Sequence, residues 1–380
     1  MSKSLFNEGG PHRIKNLGND QYSMSITIPK DEDGRVAREC PNTECSPGYF
    51  KVTPGTGITG GQDIAYCPYC RHKAEPNNFT TQEQIRYAKD LAIGEAHKGI
   101  DEMIQDALGI GASGKKRMGG GLISIEMSYK PGTPPHVSRP LEDEVRRDVV
   151  CPHCTLDQTV FGLAIWCSDC GEDIFLTHVE GELAVTRLMV EDVGRREKQL
   201  GKRVAAKDLE NCLEDAVSIF EAAVRALVRR ALLIRQNDLE LIEAKLQKLG
   251  NAFQNIERTQ KELASMFGSD ALGGSISAKL KSIFEKRHPI THNLGVVDRK
   301  YIERAQLAGR EGREVGITAA EVSEALTDVF GAISLVHKQL ICEKREIAAE
   351  QVTALEDTAA SSAVRGTCSG DPGGSVRPER

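Results

Sequence analysis

Eight of the eleven cysteines stand in four close pairs whose spacing is typical of metal sites. In three pairs two residues separate the cysteines, so one tight turn presents both thiolates, and the fourth pair is looser. The pairs are Cys40 and Cys45, Cys67 and Cys70, Cys151 and Cys154, and Cys167 and Cys170. Zinc takes four such ligands at tetrahedral corners ~2.3 Å away, and four cysteines leave no position for water. We therefore expect two zinc ribbons with two structural zinc ions per chain.

Other residues near the cysteines are not needed as metal ligands. Gly171 suits the strained end of the Cys167–Cys170 turn. His72 and His153 stand beside the ligands and are read as bystanders, because four cysteines already complete each set. The pattern leaves open whether the ribbons bind RNA, DNA or protein, or only hold a small domain together. Paired cysteines without a signal peptide indicate metal ligands rather than disulfides, and predict a cytoplasmic protein.

A second cluster of reactive side chains is Lys286-Arg-His-Pro-Ile-Thr-His-Asn-Leu-Gly295, expected to join two helices. Arginine offers a fork of donors suited to phosphate, and histidine exchanges a proton near neutral pH. Cleavage of RNA by its own 2′-hydroxyl needs a proton acceptor or donor and a cation on the developing charge. The alternative is that Arg287 caps the preceding helix while the histidines make loop hydrogen bonds. The residues alone leave both open.

The order of these residues resembles the R-x4–6-H motif of the HEPN superfamily. In this chain the motif is Arg287, the polar His288 and, after four intervening residues counted from the arginine, His292. The longer string RHPITHNLGVVDRKYIE is similar to HEPN-type domains of bacterial defence and toxin systems. The resemblance covers roughly residues 205–357.

The resemblance implies a metal-independent endoribonuclease, in a toxin or antiviral defence setting, with no cofactor for catalysis. His292 would act as acid and base, and Arg287 would stabilise the transition state, which leaves a 2′,3′-cyclic phosphate end. His288 would assist and Asn293 would orient. RNA is then the substrate, and a regulatory partner or trigger is implied.

The same resemblance implies a homodimer, in which two motifs meet across a two-fold axis in a positively charged cleft. Basic residues that flank the motif fit such a cleft, although a solvated face explains them equally. They are Lys279, Lys281, Lys286, Arg299 and Lys300. Some toxin members carry a tyrosine two residues after the histidine, where this chain has Leu294, so modification of such a tyrosine is not implied.

The segment Gly109-Ile-Gly-Ala-Ser-Gly-Lys-Lys116 superficially matches a phosphate-binding loop. Lys116 replaces the residue that would hold magnesium, and a helix precedes the segment where a strand is required. We interpret it as a flexible basic loop or a solvated linker.

The helices that must position the motif follow from hydrophobic spacing after about residue 205. Apolar residues recur every three or four positions from Phe220 to Ile234, and again from Leu239 to Phe267. The step of five between these runs predicts a turn at residues 236–238. A third helix is expected over roughly Ser275 to Lys286, ended by Pro289.

Two further helices complete the predicted bundle. One begins near Asp298, and the last opens with Thr318 and Glu321 as a capping box. The last one carries an apolar stripe of Val322, Leu326, Val329, Ile333, Val336 and Leu340. We interpret all of these stripes as bundle core.

The N-terminal half has a different pattern, which predicts short strands and one helix. Gln21–Pro29 alternates apolar and polar residues as a strand does, and Leu122–Met127 reads as another. A helix is predicted from Thr80 to Leu108, with Thr81 as N-cap and Gln84 as its capping partner.

The fold class is therefore α+β and multidomain: two small β zinc ribbons and then an all-α, HEPN-like bundle. The expected divisions are 1–120, 121–180, a linker over 181–204, the bundle over 205–357 and a disordered tail over 358–380. With 5 % aromatic residues and a net charge of −6, stacking on ring-rich sheets and coating of DNA by bulk charge are excluded. No membrane segment is expected. The competing function is a non-catalytic ribbon-and-bundle adaptor that binds nucleic acid or protein.

Overall fold

The computed structural model describes residues 5–110, 114–120, 124–134, 136–141, 143–144, 147–235, 238–305 and 311–342. The chain forms two compact units, Met1–His178 and Val179–Arg380. The predicted tail over 358–380 lies outside the described residues, as does Cys368.

A hairpin opens the N-terminal unit. Strand β1 (Lys15–Gly18) pairs antiparallel with β2 (Gln21–Ser23) across Asn19 and Asp20, whose φ angles of 50° and 58° suit a tight hairpin turn. The predicted strand over Gln21–Pro29 pairs only as far as Ser23. Its alternation correctly indicates which side chains are half-buried, but alternation cannot indicate how far a partner strand extends.

One four-stranded antiparallel sheet joins the two cysteine-rich segments. Its order is β3 (Val36–Glu39), β4 (Tyr49–Val52), β10 (Asp157–Val160) and β9 (Arg147–Val150). Strand β10 pairs with β4 and β9, so the first and second ribbons share a sheet. The core beneath it is also shared, since Phe50, Phe79, Leu156 and Val160 pack in one cluster with cysteines of both ribbons.

Short elements surround this sheet. Strands β5 (Ala65–Tyr66) and β6 (Lys73–Ala74) pair antiparallel, and a 3-10 helix follows at Pro76–Phe79. Helix α1 (Gln82–Leu108) begins at the predicted N-cap, Thr81, with the complete capping box to Gln84. Gln84 also donates from Nε2 to the carbonyl of Ala37 at 2.9 Å, which ties the start of α1 to β3.

The glycine-rich segment after α1 differs from the expected basic loop. Strand β7 (Lys115–Met118) contains its basic residues and pairs antiparallel with β8 (Ile125–Ser128). The Lys116 ammonium donates to the carbonyl of Leu108 at 3.1 Å, where the last turn of α1 favours a cation. Residues 111–113, at the centre of the segment, lie outside the described part of the chain, as do 121–123 of the second predicted strand.

Two long helices lead into the C-terminal unit. Helix α2 spans Phe175–Leu200 and α3 spans Lys202–Arg235. The stretch 181–204, expected to be a linker, is therefore helical apart from a break at Gly201, whose φ is 93°. The stretch is rich in polar residues, which obscure its helical spacing of apolar residues in the sequence. That spacing is present, since Leu183, Val190 and Val193 are all buried.

The predicted second helix is divided in the structure. It consists of α4 (Leu239–Leu249), a 3-10 turn at Ala252–Gln254 and α5 (Ile256–Phe267). Gly250 ends α4, and the Asn255 side chain accepts from the Arg258 amide to start α5. The turn expected before α4 is present at Asp238, which caps Leu241 at 2.9 Å, and residues 236–237 lie outside the described chain.

Helix α6 extends past its predicted end. It spans Ser275–Asn293 with Pro289 inside it, so the expectation that Pro289 ends the helix is wrong. Proline removes one amide donor and crowds the preceding turn, but packing outweighs that cost here, because Pro289 and Ile290 are buried. The helix ends at Leu294, whose φ is 52°, and the Gly295 amide donates to the Pro289 carbonyl at 2.9 Å.

The bundle closes with α7 (Arg299–Ala305) and α8 (Ala319–His337), followed by a π-helical turn at Lys338–Cys342. Both predicted starts are confirmed: Asp298 accepts from the Tyr301 amide at 2.7 Å, and Thr318 and Glu321 form the capping box. Helix α8 packs against α3 and α6, and the predicted stripe from Val322 to Leu340 is buried.

Residues Ala319–Cys342 are, by length and composition, apolar enough to cross a membrane, and no other helix in the described chain is. Half of the most apolar stretch is buried inside the bundle. A core helix of a bundle has the same composition, and the packing against α3 and α6 accounts for it.

An aromatic contact ties α3 to α6. The rings of Phe220 and Phe284 meet edge to face with centroids 5.4 Å apart, and Phe220 is fully buried. Phe220→Ala should lower the free energy of unfolding by about 3–5 kcal/mol, because it leaves a cavity in the core. Denaturant unfolding would measure this. Leu188→Ala, on the exposed side of α2, should change it by less than ~0.5 kcal/mol.

Candidate functional site

Three of the four cysteine turns have the same backbone conformation. In each, the residue after the second cysteine has positive φ: Arg71 (61°), Thr155 (64°) and Gly171 (70°). The amide of that residue donates to the carbonyl of the first cysteine at 2.9–3.1 Å. This turn directs both thiols of a pair to one point. The strain predicted at Gly171 is present, and Arg71 and Thr155 adopt the same conformation without being glycine.

The turns converge as two sets of four sulfurs, and in each set the ligand atoms lie within 4.8 Å of one another. Cysteine site 1 contains Cys40, Cys45, Cys67 and Cys70; cysteine site 2 contains Cys151, Cys154, Cys167 and Cys170. Two sulfur–sulfur distances at each site, of 3.5–3.7 Å, match the edge of about 3.8 Å expected for four sulfurs ~2.3 Å from a central zinc. They are far longer than the ~2.05 Å of a disulfide. Both sites fit zinc.

The surroundings of the thiols agree with a metal at each centre. Burial raises the pKa of the Cys167 thiol and raises that of Cys170 to about 12. Without a cation these groups would stay protonated, whereas a bound metal holds them as thiolates and releases their protons. Backbone amides of His153 and Asp169 point at the sulfurs of Cys151 and Cys167 at 3.4 Å, as suits anionic sulfur.

The two cysteine sites are in direct contact through hydrogen bonds and a cation–π interaction. The Tyr66 amide donates to the Ser168 carbonyl at 2.8 Å, and the Trp166 amide donates to the Pro68 carbonyl at 3.1 Å. The Arg71 guanidinium lies 4.2 Å from the centre of the Trp166 ring. Loss of either metal should therefore disturb both sites.

The remaining described cysteines lie elsewhere. Cys212 is fully buried in α3, and the Cys342 sulfur lies 3.7 Å from His337 Nδ1 in the last turn.

The second candidate site lies on α6. Because Pro289 is inside the helix, the predicted catalytic residues stand on its last two turns rather than in a loop. His288 and His292 are four residues apart and share one face, with ring centroids 5.1 Å apart. His292 is exposed and His288 is half-buried.

A pocket of about 560 Å³, here called the α6 pocket, lies between this face and α5. Arg287, His288 and His292 all line it, and Asn293 does not. The α5 side contributes Asn255, Arg258 and Lys261 among others. The structure thus brings three of the four predicted catalytic residues to one concave surface.

The Arg287 guanidinium is hydrogen-bonded to the side-chain amide of Gln254. Its Nη1 donates to Gln254 Oε1 at 2.9 Å, and Gln254 Nε2 donates to Glu221 Oε2 at 2.6 Å. Arg287 Nε is buried and has no hydrogen-bond partner within the described chain. The half-buried guanidinium is therefore restrained, and no carboxylate of the described residues pairs with it directly.

Asn293 turns away toward the start of α7. Its Nδ2 donates to Asp298 Oδ2 at 2.8 Å, and the same oxygen lies 3.9 Å from His288 Nε2. Asp298 also caps α7 through its other oxygen. Asn293 and Asp298 together connect the end of α6 to the start of α7 beside His288.

The flanking basic residues do not form one cleft. Lys279 and Lys286 pair with Glu324 and Glu321 of α8, at 2.8 Å and 2.6 Å. Lys281 does line the α6 pocket, where it pairs with Glu257. Arg299 is exposed and lies 3.4 Å from Glu303, and the Lys300 side chain is outside what the structure describes.

Sequence reasoning missed the two cations on the opposite wall of the α6 pocket. Arg258 and Lys261 are exposed, and neither makes an ion pair within the described chain. Their spacing of three residues places them on one side of α5, but no sequence pattern indicated that α5 would face α6.

Comparisons with family models, curated proteins and solved structures found no match for this chain.

Metal should be essential to the N-terminal unit. Cys151→Ser should lower the metal content and destabilise that unit, because a structural site contributes its binding energy to folding. Elemental analysis would measure metal per chain, and limited proteolysis would report which unit unfolds.

Cys342→Ser is the matched control, since that cysteine belongs to neither site, and it should leave the metal content unchanged. Less than one metal ion per chain in carefully purified wild-type protein would contradict the assignment.

Proposed function

We propose that this protein is a metal-independent endoribonuclease whose active site is the α6 pocket. The observation that supports it is the joint presence of Arg287, His288 and His292 on one pocket wall. An arginine and two histidines are the groups that cleavage of RNA by its 2′-hydroxyl requires. The resemblance to the R-x4–6-H motif of the HEPN superfamily supports the same reaction.

In this reaction a base removes the proton from the 2′-hydroxyl, and the oxygen attacks the adjacent phosphorus. The bond from phosphorus to the 5′-oxygen breaks, and that oxygen receives a proton. The products are a 2′,3′-cyclic phosphate and a 5′-hydroxyl, with no net consumption of water or oxidant. His292 is placed for proton transfer because it is exposed in the pocket, and His288 lies close enough to assist.

Arg287 would bind the phosphate as negative charge develops on it. Its restraint by Gln254 fits this role, because a donor fixed before the reaction needs little reorganisation. Asn293 does not line the pocket, so its proposed orienting role acts through Asp298 on His288.

Zinc has a separate, structural role in this proposal. Four cysteines at each site complete a tetrahedron and leave no position for substrate or water. We infer two zinc ions per chain, which hold the N-terminal unit together and take no part in RNA cleavage.

The proposal also includes a homodimer. The resemblance implies that two motifs meet across a two-fold axis, and pairing two α6 pockets would place four exposed cations from Arg258 and Lys261 beside the RNA.

The mechanism predicts the effects of three substitutions. His292→Ala should slow RNA cleavage by about 10²- to 10⁴-fold, and Arg287→Ala by about 10²- to 10³-fold. His288→Ala should have a smaller effect, because His292 can carry the proton transfer. The assay is cleavage of total RNA on a gel with EDTA present, with zinc content measured in the same samples.

Two matched controls use the same replacements on exposed side chains outside the pocket, His97→Ala and Arg299→Ala. His97→Ala should cleave like the wild type, and so should Arg195→Ala on the exposed side of α2, which is the arginine control to use if Arg299 contacts RNA in the dimer. If His292→Ala cleaves as fast as the wild type, the proposal is wrong. Failure of the pocket variants to fold would indicate that Arg287 and His292 serve structure, as in a non-catalytic adaptor.

Assembly gives an independent prediction. Light scattering should show a dimer at the concentrations at which RNA is cleaved. A monomer with full activity at high protein concentration would refute the dimer while leaving the α6 pocket as the active site.

A further inference from the structure

The N-terminal unit contains a second pocket, which the proposed reaction does not use. It has a volume of about 180 Å³ and is here called the Arg38 pocket. Its walls combine apolar and polar residues, and the core residues Phe50, Phe79 and Leu156 lie beneath them, each 2 % exposed or less. Ile58, 43 % exposed, lies at its rim. A pocket below the ~300–1,000 Å³ of drug-sized sites suits a small ligand.

Two opposite charges line this pocket and form no direct ion pair with each other. Arg38 on β3 and Asp169 in the second turn of cysteine site 2 both line it and are both half-buried. The Arg38 guanidinium has no hydrogen bond or ion pair within the described chain. A half-buried guanidinium without a partner is costly, so a ligand that pairs with it gains binding energy.

The hydrogen-bond donors to the Asp169 carboxylate are neutral groups. Its oxygens accept from the Ile58 amide at 2.9 Å and from Gln62 Nε2 at 3.1 Å. These donors orient the carboxylate but leave its negative charge in place. The pocket therefore presents one positive and one negative group.

The polar wall of the pocket is already ordered. Thr53 Oγ1 donates to Asp157 Oδ2 at 3.0 Å, and the Asp157 amide donates to Thr56 Oγ1 at 3.0 Å. Gly57, with φ of 75°, lets this loop approach Asp169, because a Cβ there would lie 2.1 Å from Asp169 Oδ2. A rigid wall lowers the entropy that a ligand must overcome on binding.

We propose that the Arg38 pocket binds a free α-amino acid with an apolar side chain. The ligand's carboxylate would pair with the Arg38 guanidinium, and its ammonium with the Asp169 carboxylate. Its side chain would lie against Val52, Ile58 and Pro76, which are accessible apolar residues of the wall. A zwitterion matches the pocket in charge, whereas a phosphate dianion would meet Asp169 unfavourably.

Calorimetry on the full, zinc-loaded chain with L-leucine as the probe tests this. Leucine should bind, and Arg38→Gln should weaken binding by about 10- to 100-fold, because one charged hydrogen-bonding partner is lost. Arg86→Gln, on the exposed face of α1, is the matched control and should bind like the wild type. Zinc content is measured for each variant. If Arg38→Gln keeps its zinc but binds leucine more weakly, the weaker binding is due to the change in the pocket.

Analogues of leucine distinguish a free amino acid from a simple organic anion and from a peptide N-terminus. 4-Methylpentanoate lacks the ammonium group and L-leucinamide lacks the carboxylate, and each should bind at least about 10-fold more weakly than leucine. Equal binding of 4-methylpentanoate would overturn the zwitterion in favour of a simple organic anion. Equal binding of leucinamide would favour a peptide N-terminus instead.

Three further results would refute the proposal: no heat with leucine, leucine binding that survives Arg38→Gln, or Arg38-dependent binding of an RNA dinucleotide in place of leucine. None of these depends on RNA cleavage, so the endoribonuclease proposal stands or falls separately.

Discussion

The N-terminal unit depends on one arrangement that occurs twice: four cysteine sulfurs close enough together to bind one metal ion. Its strands are two to four residues long, and such short pairings are marginal on their own. A metal that binds four thiolates contributes of order 10 kcal/mol to folding, which short strands cannot supply. The turns of the two sites are also hydrogen-bonded to each other through Tyr66, Pro68 and Ser168, so a metal bound at either site would support one shared sheet.

The C-terminal unit depends in the same way on α6, which packs against α3, α5, α7 and α8. Its two sides are chemically different. One side pairs Lys279 and Lys286 with acids of α8, and the other carries Arg287, His288 and His292 toward α5. Pro289 remains inside the helix because its neighbours are buried, and this places the two histidines one helical turn apart. A helix that ended at Lys286 would not fix their spacing.

Local chemistry explains which elements could be predicted from the sequence. The capping boxes at Thr81 and Thr318 were predicted correctly because cap and partner are three residues apart. The cysteine sets were predicted because zinc dictates ligand spacing. Three features were missed because each depends on distant residues: the sheet shared by both ribbons, the continuation of α6 through Pro289, and the facing of α5 and α6. The last one also hid Arg258 and Lys261, whose role depends on what lies opposite them.

The way Arg287 is held bears on what the α6 pocket can do. A carboxylate in direct contact would orient the guanidinium but cancel most of its charge. An amide orients it without adding charge, and here the carboxylate of Glu221 stands one step behind, where it fixes the Gln254 amide. The cation therefore faces the pocket both restrained and uncompensated, beside two histidines and two exposed cations from α5. Glu257 and Glu285 also line the pocket, but neither forms an ion pair with Arg287 among the residues that the structure describes, so the guanidinium keeps its charge for an anion from solvent.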